Sequence, residues 1–116
     1  MTAFRIFLAA MLIAVVVYTV LVIADYGLSP LFPVFFADIG KMAWPGQFNL
    51  DFLCMLMMSG FWVAWRHHFS PGGLVLGVLG LTGGAPFLTA YLFITSIQTK
   101  GDVAEILLGK TRAAAR

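Results

Sequence analysis

Residues 74–97 read LVLGVLGLTGGAPFLTAYLFITSI, 24 consecutive positions without a formal charge. A helix needs roughly 20 apolar residues to cross a hydrocarbon layer about 30 Å thick, so this run has the length and chemistry of a membrane span. Two more such runs, residues 6–24 and 48–65, fill much of the remaining chain, and Asp51 is the only formally charged residue inside any of the three. The expected fold is therefore all-α: an integral membrane protein with three transmembrane helices, residues 1–116 forming a single membrane domain.

Composition supports the same class. A 116-residue chain that is 61% hydrophobic and 10% charged has more apolar side chain than a soluble domain of this size can bury. The net charge of +2 arises largely from the tail residues Lys100, Lys110, Arg112 and Arg116. Such basicity beside apolar spans suits anionic lipid headgroups and gives no reason to expect a nucleic-acid partner. The single cysteine, Cys54, excludes an intrachain disulfide. Arg5 ahead of the first run is also the layout of a secretory signal, but 19 apolar residues exceed the roughly 7–15 of a signal core, so the run reads as a retained anchor.

Between the first two spans, residues 28–44 mix turn formers with Phe32, Phe35, Phe36 and Ile39, which share one face at helical spacing while Asp38 and Lys41 lie elsewhere. A short interfacial helix is expected there, followed by Trp44-Pro45-Gly46 as an aromatic anchor and a helix start. The second span closes on Trp62, Trp65, Arg66, His67 and His68 and meets Ser70-Pro71-Gly72-Gly73, so the second and third spans should form an antiparallel hairpin. Residues 100–112 read as a short amphipathic tail with Gly109 as a stop and a frayed end from Ala113 onward.

The third span carries the clearest packing signal. Gly73, Gly77, Gly80 and Gly84 recur at intervals of four, three and four, which places them on one helical face where another backbone can approach closely. That partner is either the second span, through Ser59 and Gly60, or another polypeptide. Pro86, just after Gly83 and Gly84, should kink the helix.

Asp51 is the candidate proton or cation site, with Asn49 beside it, because an ionisable group at membrane depth is costly. A helix start close by would instead make it a first-turn carboxylate favoured by the helix dipole. Arg66, His67 and His68 are candidates for headgroup binding or pH sensing. No metal or other cofactor is expected. Adjacent histidines project in different directions, which suits neither haem nor a metal cluster, and Met55, Met57 and Met58 with Cys54 read as packing more readily than as soft-metal ligands. No hydroxyl has a paired base in a recognisable motif, so an enzyme is not expected and no residue is assigned a catalytic role.

The run Trp44 to Asp51 ahead of a span, together with the tail from Lys100 through Leu107, Leu108 and Gly109, resembles small uncharacterised bacterial inner-membrane proteins. The resemblance implies a multi-pass protein of the inner membrane and brings no active residues with it. The expected function is helix association through the glycine face, as an accessory or assembly subunit or as a homo-oligomer, with the lipid bilayer and another membrane protein as partners. The alternative is a minimal oligomeric transporter or channel that uses Asp51. Small multidrug exporters are of similar size, but they have four spans and an acidic residue in the first, and residues 6–24 contain none. Orientation stays in conflict: three crossings put Arg5 and Arg66 on one side and the more basic tail on the other.

Overall fold

The computed structural model describes residues 1–115; Arg116, read above with the basic tail, lies outside them. Among the described residues every regular element is helical. In order these are α1 (Thr2–Tyr26), α2 (Leu31–Gly40), α3 (Trp44–Arg66), α4 (Pro71–Gln98), α5 (Val103–Leu108) and α6 (Lys110–Ala115). Three of them, α1, α3 and α4, are long and apolar enough to cross a membrane.

Local chemistry sets the boundaries. Each of the three long helices outruns its apolar core by one to a few residues at both ends. Pro45 occupies the first turn of α3, where its missing N–H removes nothing. Ser70 caps α4 by accepting from the Gly73 N–H at 3.1 Å, with Pro71 at the first helical position. Asp102 caps α5 in the same way, accepting from the Glu105 N–H at 3.3 Å. Gly109, at φ 83°, ends α5 in a left-handed conformation that L side chains rarely adopt. The expected single tail segment is thus two short helices, and the end expected to fray stays helical to Ala115.

The expected kink in α4 is far sharper than a proline alone produces. Gly84 has φ 61° and ψ −146°, outside any helical region, and Pro86 has no N–H to donate to the Thr82 carbonyl. Contacts on either side of this break fix its consequence. A Cβ on Gly73 would lie 2.6 Å from His67 Cβ, while the Tyr91 hydroxyl lies 2.7 Å from His67 Nε2. In a straight helix the 18 residues from Gly73 to Tyr91 would cover about 27 Å, too far for one histidine to meet both. The arm 71–83 therefore descends along α3, and the arm 85–98 turns back along it toward the same end.

α4 is the centre of the molecule. Its first arm packs on α3 through glycine: a Cβ on Gly60 would sit 2.7 Å from the Gly77 carbonyl oxygen, and one on Gly80 would sit 3.1 Å from Gly60 Cα. Phe52 and Leu56 cover the Gly84 break. α1 packs on α4 as well, and Arg5 donates from Nε to Ser96 Oγ (3.0 Å) and from Nη2 to the Ser96 carbonyl (2.8 Å). Leu8 is the one α1 residue that is buried, and residues 16–26 are exposed throughout, because the second arm of α4 reaches no further down.

α2 folds back onto the start of α3. The Asn49 amide Nδ2 donates to the Phe35 carbonyl at 3.1 Å, and Gly46 leaves no room for a Cβ against the Asp38 carbonyl. Within the segment 28–44, residues 31–40 thus form a short helix packed on the chain itself.

Candidate functional site

Polar side chains gather where α3 ends. Arg66, in the last turn of α3, donates from Nε to the Ile106 carbonyl at 2.7 Å and from Nη2 to the Glu105 carbonyl at 3.0 Å. Trp62 Nε1 donates to the Leu107 carbonyl at 3.0 Å. The Glu105 carbonyl already accepts from the Gly109 N–H, whereas the Ile106 and Leu107 carbonyls are open acceptors at the end of α5, so side chains of α3 complete the cap of this six-residue helix. Arg112 of α6 donates to the Trp65 carbonyl and lays its guanidinium over the Trp65 ring, 3.9 Å from the centroid.

Arg66 also donates from Nη1 to the Tyr91 hydroxyl at 3.0 Å, and that oxygen in turn meets His67 Nε2. An arginine nitrogen can only donate, and Arg66 Nη1 also lies 3.4 Å from His67 Nε2, so that ring nitrogen acts as an acceptor of the neutral imidazole. Partial burial, then the Arg66 charge, then His68 hold the His67 pKa below the ordinary histidine value, which fits the same tautomer. His68 stands apart: it is exposed, at φ 58°, and among the described residues its ring makes no hydrogen bond. Of the three residues grouped by sequence, Arg66 and His67 are therefore turned inward to hold the structure together. Tyr91 completes their cluster. Its sequence position, five residues past the kink expected at Pro86 and 24 from His67, gave no reason to pair them until the reversal of α4 was seen.

Asp51 and Asn49 do not come together functionally. Asn49 is committed to α2, while Asp51 is exposed and without an ion pair or hydrogen bond among the described residues. The one ion pair there is Lys41 Nζ to Asp38 Oδ1, at 3.6 Å. α3 begins at Trp44, so Asp51 lies two turns inside the helix, about 10 Å from its start and beyond the first turn where the dipole favours a carboxylate. Around it on the same outward face lie Phe48, Met55 and Met58, all exposed, and Trp44 stacks on Phe48 at 6.0 Å between centroids.

Gly73, Gly77, Gly80 and Gly84 are buried inside the chain against His67, Ala64, Gly60 and Phe52. A shallow apolar groove of about 310 Å³ runs beside them between Met57, Phe61, Leu74 and Val78. A larger one, about 580 Å³, lies between α2 and α3, and the Gln47 amide and the Trp44 indole N–H are the polar side-chain groups among its lining residues. Neither presents the convergent polar groups that orient a substrate. Among the described residues no three of His, Cys, Asp and Glu approach one another closely enough to hold a metal ion.

No protein-family model, no curated protein and no solved structure matches this chain.

Proposed function

We propose that the chain is a multi-pass protein of the kind found in bacterial inner membranes, and that it acts by helix association, as an accessory or assembly subunit or as a homo-oligomer. Asp51 carries this reading. A carboxylate some 10 Å into an apolar helix has to face a polar neighbour or water, because an unpaired charge in hydrocarbon costs on the order of 3 kcal/mol even on the most lenient scale. Within the chain it has neither an ion pair nor a hydrogen bond among the described residues. In this proposal its polar neighbour sits on another helix, laid along Phe48, Asp51, Met55 and Met58, and methionine adapts readily to such a surface. The exposed lower half of α1 supports the same conclusion. The glycine face, by contrast, is already occupied by α3.

Native mass spectrometry of the tagged protein, extracted gently from its own membrane, tests this. A defined complex is expected for the wild type and its dissociation for Asp51→Leu. A wild-type protein that runs as a lone monomer sinks the proposal.

A second reading, a minimal oligomeric transporter or channel with Asp51 as a proton or cation site, draws on one further observation: the residue next to Asp51, Phe52, covers the break in α4. Broken helices of this kind flank ion sites in some transporters. Proton or cation flux in proteoliposomes that is indifferent to Asp51→Asn removes that reading.

A further inference from the structure

We infer that α4 is a re-entrant hairpin that leaves the bilayer through the leaflet it entered, so that the chain crosses only twice and holds its basic residues against the anionic headgroups of one leaflet. The inference rests on the membrane reading above and adds the topology and the lipid partner.

Four observations carry it. The arms of α4, 71–83 and 85–98, would extend about 20 and 21 Å, each short of the roughly 30 Å hydrocarbon thickness. Both arms meet His67 at the upper end of α3, through Gly73 and Tyr91. The turn at Gly84 meets Phe52 and Leu56, ten or more residues below Arg66 and therefore at least about 15 Å deeper. Finally, α1 loses its protein cover at residue 16, about the depth at which α4 turns round. Non-helical backbone at that depth is tolerated where protein covers it, as Phe52 does here.

The charges then sort by side. Arg5 is tied to Ser96, Met1 lies against Gly101, and α5 and α6 are held by Arg66 and Trp65, so Arg5, Arg66, Lys100, Lys110 and Arg112 share one end. Only Asp102 and Glu105 oppose them there, and the other end carries Asp25, Asp38 and Lys41, the last two paired. Three full crossings would divide the basic residues between the two surfaces. Two crossings with a re-entrant α4 satisfy the positive-inside rule with every described basic residue except Lys41 on the cytoplasmic, anionic side.

Single cysteines introduced into a Cys54→Ala background test the arrangement: Thr2→Cys, Ser29→Cys, Gly72→Cys and Ala114→Cys, all at exposed positions. Carbonate extraction first reports whether each variant is membrane-embedded, which tests the membrane reading separately. A membrane-impermeant maleimide is then applied to inverted and right-side-out vesicles. Positions 2, 72 and 114 should label in inverted vesicles and lose that labelling in right-side-out ones, with position 29 showing the reverse. Labelling of 72 and 114 from opposite sides, or of 29 from the same side as 72, overturns the inference.

Discussion

His67 shows how one side chain changes meaning between sequence and structure. As half of a histidine pair at a helix end it suggests an exposed pH sensor, yet its ring accepts from Tyr91 and must be neutral to do so. Its lowered pKa means that the folded chain binds protons at this site less readily than the unfolded chain. Stability from His67 is therefore fully present above the ordinary histidine value of about 6.5 and is lost as pH falls through it toward the lower folded value. The groups facing the ring are Arg66, His68 and Tyr91, and the first two oppose a further positive charge. The thermal midpoint in mild detergent should thus decline on acidification from pH 7 to 5, and His67→Gln should flatten that part of the profile. An identical profile in the variant would place the acid sensitivity elsewhere. The neutral state of His67 was not legible in the sequence, because the partner that sets it arrives through the reversal of another helix.

At the scale of the element, α4 was half legible. Glycines at intervals of four and three announce a helix face built for close approach, and Gly83-Gly84-Ala85-Pro86 announces a weak point. What composition and spacing do not encode is the angle: a proline alone leaves a bent rod, whereas a glycine at positive φ with ψ near −146° redirects the chain. The hydropathy of residues 74–97 is the same for one long rod or two short ones. Gly84→Ala should therefore be costly, since its Cβ would meet Phe52 Cζ at 2.9 Å and the backbone there suits glycine alone; a loss of about 1–3 kcal/mol is expected from strain. Gly72→Ala, with nothing within 4 Å, is the control and should leave the denaturation midpoint unchanged. Equal midpoints for the two variants would mean that the break is not required. The glycine stripe also illustrates an ambiguity that spacing cannot resolve, for the same pattern serves a neighbour in the chain or a neighbour beyond it.

For the molecule as a whole, three elements are gathered at one end by two side chains of α3. Without Arg66 and Trp62, the Ile106 and Leu107 carbonyls lose their donors, and the tail is left to buried Ile106 and to the hold of Arg112 on Trp65. Arg66→Gln should leave the α3–α4 pairing intact while releasing residues 103–115, seen as cleavage by trypsin at Lys110 and Arg112 at least several times faster than in wild type. Unchanged cleavage would show that stacking of Arg112 on Trp65 suffices alone. The all-helical class, the count of long apolar helices and the presence of a short helix between the first two were readable from hydropathy and turn residues. The conflict over orientation was readable too, as a conflict. It arose from treating every long apolar run as a rod from face to face, and it dissolves once one of them is folded in two.

That folding in two also sets an order of events during biogenesis. The bare backbone at Gly84 would be poorly tolerated in lipid by itself. Phe52 and Leu56 must already be in position to shelter it, and both belong to the preceding helix. The nascent chain thus has to seat α3 before α4 can settle, and α1 gains its Ser96 tether only after α4 has doubled back. α1, although it precedes α4 in the chain, is thus fastened after it.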